Sequence, residues 1–192
     1  MTTAEIVILV VVGVVVLIAL AWALFVMSRR RGRRQLREQF GPEYDRSLAK
    51  TGDAKETDVQ LRQRVSERER LQLRPLSSVD RDAFAQEWRQ IQSQFVDAPE
   101  EVLANADALL SRVMRASGYP VDNFGQQADL VSVDHPQLVD NYRKAHIVRD
   151  ATQQGPVDTE QQRQAFLAYR SLFAELLDQP AAEQSEPRAA SS

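Results

Sequence analysis

Hydrophobic and polar positions divide this chain into three regions of different periodicity. Residues 6–27 form an apolar run with no charged side chain, enough to span a bilayer core of roughly 30 Å as a helix. Residues 28–74 are polar, with apolar positions too sparse to line a core. From Pro75 to Pro180 apolar residues recur at helical spacing and nothing alternates like a strand. The expected architecture is all-α: one transmembrane helix (6–27) after a short external N-terminus (1–5), a basic and partly helical linker (28–74), a bundle of about five helices (75–179) and a disordered tail (180–192).

The linker divides at Gly41-Pro42, which interrupts any helix continuing from the apolar run. A short helix is expected over 43–50, ending around Thr51-Gly52-Asp53. The stretch 55–74 favours a helix by propensity, but Val59, Val65 and Leu73 give it only a thin apolar stripe. It reads as a solvated connector, about 30 Å long if fully helical.

Within the bundle, Ser77-Ser78-Val79-Asp80 caps a helix that places Phe84, Trp88, Ile91 and Phe95 on one face. Asp97-Ala98-Pro99-Glu100 opens a second, with Asp97 as cap, a buried side of Val102, Ala106, Leu109, Leu110, Val113 and Met114, and a stop at Gly118. A third, short helix runs over 123–131. Asp134-His135-Pro136-Gln137 opens a fourth, with Asp134 as cap and Leu138, Val139, Tyr142, Ala145 and His146 inward. Thr159 begins the capping signal of a fifth, which carries Phe166, Tyr169, Leu172, Phe173 and Leu176.

Charge sets the orientation. Arg29, Arg30, Arg31, Arg33 and Arg34 follow the apolar run, whereas the preceding Met1 to Glu5 contain no basic residue. Basic residues beside a membrane span stay on the cytoplasmic side, so the body is expected in the cytoplasm as part of a single-pass inner-membrane protein. A cleaved signal peptide would show the opposite order of charge. The arginines have two readings, a topology signal and a surface for anionic lipid. Residues 28–74 hold 14 Lys and Arg against 8 Asp and Glu, while 75–192 hold 10 against 18. The acidic bundle argues against nucleic acid as a partner.

Candidate chemistry is thin. There is no cysteine, which excludes disulfides and thiolate catalysis. The two histidines, His135 and His146, lie eleven residues apart on the expected fourth helix, roughly 16 Å by helical rise, too far to share a metal ion. No Gly-x-Ser-x-Gly elbow or phosphate-binding glycine loop occurs. No catalytic, cofactor or metal site is therefore expected. Two functional readings remain: a non-enzymatic module that binds a protein partner beside the bilayer, and a small-ligand sensor or enzyme using Tyr142, His146 and the loop at Tyr119. Tyr119, His135, Tyr142 and His146 are the residues such a surface would use.

The segments Val133-Asp134-His135-Pro136, Asn141-Tyr142-Arg143 and Ala145-His146, with Phe40-Gly41-Pro42-Glu43-Tyr44-Asp45 and the stretch from Trp88 to Phe95, resemble a family of uncharacterised bacterial single-pass membrane proteins with a small helical domain. That resemblance implies a bacterial membrane location and supplies no catalytic residue.

Overall fold

The computed structural model describes residues 17, 20, 22 and 32–178, and all of its regular structure is helical. The elements are α1 (32–40), α2 (Pro42–Thr51), α3 (Ala54–Arg70), α4 (Ser78–Ser93), α5 (Pro99–Ala116), α6 (Phe124–Asp134), α7 (Pro136–Thr152) and α8 (Thr159–Leu177). Among the described residues no helix is long and apolar enough to cross a membrane. The expected span at 6–27 lies outside them except for Leu17, Leu20 and Trp22, which are helical and 67%, 55% and 69% exposed. The expected tail at 180–192 also lies outside.

The main core is built around α5. Val102, Leu103, Ala106, Leu109, Leu110, Val113 and Met114 recur at three- and four-residue spacing, and all are buried. Each of the larger side chains, Ala106 apart, contributes roughly 1.5–3 kcal/mol by leaving water. α8 packs along α5 and forms a helical hairpin with α7. Aromatic rings join α4 and the residues just after it to α8: Trp88 stacks on Phe166 at 5.1 Å and Phe173 at 4.7 Å, and Phe95, two residues beyond α4, stacks on Phe166 at 5.0 Å. The aromatic face expected on α4 is thus core.

Three helix starts differ from the sequence reading. α5 begins at Pro99 after Ala98, without a side-chain cap, so Asp97 is not its cap. At α8 the cap is Asp158, one residue before Thr159, its carboxylate accepting from the backbone N–H of Glu160 and Gln161. Asp134 does not cap α7. It is the last residue of α6, which runs three residues beyond Val131, and His135 forms the junction between the two helices. The Ser77 cap and the glycine stop at Gly118, with φ of 95°, are as expected.

The larger correction concerns α3. It is not a solvated connector but packs against α2 and α6. Leu61, with Leu36, Phe40, Tyr44 and Val133, forms a second small core, while Val59, expected on the apolar stripe, is 56% exposed. Polar side chains complete the contact. The Tyr44 hydroxyl donates to Asp58 at 2.9 Å, Arg33 donates to the same carboxylate at 3.0 Å, and the Thr51 and Thr57 hydroxyls lie 2.6 Å apart. α3 ends at Arg70, and an extended stretch leads past Pro75 to α4, with the Arg74 N–H donating to the Ser117 carbonyl at 3.1 Å.

Candidate functional site

Three polar clusters and one groove are the chemically distinctive places among the described residues. The first cluster joins α2, α3, α6 and α7. Glu43 is held one residue into α2 by the turn at Gly41, whose φ is 48°. Its side chain has no exposed surface and accepts from Arg64 at 2.9 Å and Arg143 at 2.7 Å. The other arms of both guanidinium groups reach Asp129, at 3.0 and 2.8 Å. Arg46 also comes within 3.9 Å of Glu43 and pairs with Asp140 at 3.4 Å, so three arginines and three carboxylates balance, which is what a site with so enclosed a carboxylate requires.

The second cluster surrounds Asp134. Arg68 donates to both of its oxygens through one nitrogen, at 2.9 and 2.8 Å, and the Tyr119 hydroxyl donates at 2.6 Å. Burial and the neighbouring carboxylate push the Tyr119 hydroxyl above the usual tyrosine range. His135, 4% exposed, has its Nδ1 3.4 Å from Glu175 of α8. Burial holds its imidazole below the usual histidine range, against the pull of Glu175 and Asp134.

The third cluster lies where α5, α7 and α8 meet. The His146 Nδ1 is 3.2 Å from Asp107, Arg149 donates to that carboxylate at 2.7 Å, and the His146 ring stacks on Phe124 at 3.4 Å. Burial pushes the Asp107 carboxyl up, but the His146 hydrogen bond and the Arg149 charge outweigh it, so it titrates below its ordinary value. Tyr142 is fully buried, with its hydroxyl 3.4 Å from Gln127. Burial, with Asp107 nearby, raises both Tyr142 and Tyr169.

The residues expected to form one functional surface are therefore divided between two interior clusters. Tyr119 and His135 belong with Asp134, and Tyr142 and His146 with Asp107. Tyr119 and Tyr142 are 3% and 0% exposed, so a solute reaches neither hydroxyl without opening the bundle. Of the arginine cluster, Arg33 is paired with Asp58 and Arg34 with Glu38 at 2.8 Å; Arg29, Arg30 and Arg31 lie outside the described residues. Among the described residues no group of three or more His, Asp or Glu side chains could hold a metal ion.

Sequence reasoning missed the groove. α7 and α8 leave between them an open trough of about 770 Å³, with an apolar lining of Ala145, Val148, Ala151, Leu167, Ala168 and the 66% exposed Ile147. Lys144 lines it from α7, and Asp158 and Glu160 at the start of α8. Glu160 is held down to about 2 by hydrogen bonds from Arg163 and Gln164. The outward small and apolar residues of α7 were the available signal, obscured by the polar residues between them. No family, curated protein or solved structure matches the chain.

Proposed function

We propose that this chain is a single-pass protein of the bacterial inner membrane whose cytoplasmic helical body docks a protein partner, as an interaction or scaffolding module rather than an enzyme. The observation that carries the reading is the open apolar groove between α7 and α8. Its occupant is an amphipathic helix of the partner, laid along the trough as a third helix against the hairpin. Six residues of α7 line it between Asn141 and Ala151, about 15 Å of helix and room for roughly three turns of a partner.

The uncharged run at 6–27 followed by five arginines supports the anchor and its orientation, and the resemblance to bacterial single-pass proteins agrees with it. The sensor or enzyme alternative is not favoured, because Tyr142 and Tyr119 are enclosed.

A photo-crosslinking residue at Ile147, in the full chain in its native membrane, tests the groove, with Val96, 89% exposed on the α4–α5 connection, as control. The expected result is a discrete protein adduct from position 147 and none from 96. A crosslinker at Ala151 should give the same adduct and lose it when Ile147→Glu is added. Equal labelling from 147 and 96, or labelling insensitive to Ile147→Glu, would overturn the docking reading. Orientation is tested separately with Ser192→Cys in the otherwise cysteine-free chain: protection from an impermeant thiol reagent until lysis places the body in the cytoplasm.

A further inference from the structure

We propose that the end of the body formed by Lys50, Lys55 and Arg62 is a docking surface for the headgroups of anionic lipids. The inference rests on the reading of 6–27 as a membrane span.

The packing of α1 on α3 determines which end of the body faces the bilayer. Arg33 meets Asp58, a Cβ at Gly32 would lie 3.2 Å from the Arg62 guanidinium, and further along Gln39 and Glu69 line the same cleft between the two helices. The first residues of α1 thus meet the first half of α3, while Phe40 at its other end shares the small core with Val133, next to the Asp134 that Arg68 binds late in α3, so the two helices run side by side in the same direction. The N-terminal end of α3 is therefore at the end of α1 that faces the apolar run. Arg33 follows Met27 by six residues, which span at most about 20 Å even when fully extended. α2 runs back toward the same end, since Thr51 meets Thr57. The 51–54 turn, with Lys50 and Lys55 on either side, is thus held close to the membrane.

The cations at this end differ in whether they are already used. Arg33, Arg34 and Arg37 pair with Asp58, Glu38 and Asp45. Lys50, Lys55 and Arg62 are exposed, and none forms an ion pair among the described residues. The Arg62 side chain leans toward the start of its helix, as helical side chains do, which carries its charge toward Gly32 and the bilayer. Of the neighbouring acids, Asp53 accepts from the Glu56 N–H at 2.8 Å and Glu56 from Gln60 at 3.1 Å, neutral donors that leave both charges in place, so the three cations outnumber these two acids by one. The start of α3 is itself capped by Asp53, so the attraction comes from the side chains of Lys50, Lys55 and Arg62, for which headgroup phosphates supply the missing counter-charge.

The test uses the full chain, first checked for resistance to alkaline carbonate extraction from membranes, then purified in mixed micelles containing phosphatidylglycerol and phosphatidylcholine. Retained lipid is counted for the wild type, for K50Q/K55Q/R62Q and for the charge-preserving K50R/K55R/R62K. The expected result is phosphatidylglycerol enrichment in the wild type and the charge-preserving variant, reduced at least tenfold in the glutamine variant and weakened by salt, with an unchanged thermal melt. Enrichment equal in all three, or none in the wild type, would overturn the docking surface while leaving the anchor intact. Release of the chain by carbonate would overturn the anchor and this inference with it.

Discussion

Removing Glu43 tests whether the N-terminal helices and the bundle form one cooperative unit. Its carboxylate has no exposed surface and lies between Arg64 and Arg143, whose side chains are 14% and 10% exposed. In Glu43→Gln the two guanidinium groups share Asp129 alone, and the site goes from balanced to one excess positive charge. Breaking an enclosed pair from one side costs about 3–5 kcal/mol. Asp129 remains 41% exposed to water, so the expected loss is near the lower figure. For a body of this size that lowers the melting temperature by roughly 6–12 °C. Arg143→Met should destabilise comparably by leaving an excess negative charge, yet the double variant restores balance, with Arg64 still facing Asp129. It should be more stable than the sum of the singles by about 1–3 kcal/mol. Urea unfolding of the full chain in detergent, followed by helical circular dichroism, measures all three. A Glu43→Gln loss below about 1 kcal/mol, or strictly additive variants, would refute the argument.

Leu61→Ala should cost roughly 2–5 kcal/mol, whereas Val59→Ala two residues away should stay within about 0.5 kcal/mol; thermal melts compare them, and equal effects would mean that α3 is not packed. Gly118→Ala places a Cβ 2.9 Å from the Gln72 carbonyl oxygen at a φ of 95°, and should lose on the order of 2–3 kcal/mol in urea unfolding. All four tyrosines, 44, 119, 142 and 169, titrate above the ordinary value in the folded protein, chiefly through burial. The unfolded chain therefore releases their protons first, and stability should fall as pH rises past about 10. Tyrosinate absorbance should then appear together with loss of helical ellipticity, and its appearance in a fully helical protein would contradict the burial assigned to these rings.

The bundle was legible because its information is apolar and local. Phe84, Trp88, Ile91 and Phe95 share a face by spacing alone, and Gly118 must end a helix because its φ suits little else. Caps were less secure, since Asp97 and Thr159 have the right chemistry but lie one residue from the positions used. The error over α3 has a different origin. Its buried side includes Thr57, Asp58 and the half-buried Arg64, which a hydrophobicity pattern counts as solvated. Glu43, Asp129 and Arg143 were invisible for the same reason: separated in sequence by up to 100 residues, they acquire meaning only when four helices bring them together. Tyr119 and Tyr142 were singled out for a surface but lie buried, because a tyrosine signals equally a surface hydroxyl and a large apolar ring.

The reversal at Gly41 has a consequence for reach. A flexible linker of 47 residues would let the body roam roughly 35–40 Å from its anchor and sweep a wide hemisphere of cytoplasm. Here α1 advances only nine residues, about 13 Å, before the chain doubles back and is locked into the bundle. If 6–27 is held in the bilayer as proposed, only residues 28–31 separate it from α1, and the body explores a thin layer directly above the lipid. Such confinement raises the encounter rate with partners that are themselves bound to the membrane and gives none to those diffusing in the cytoplasm.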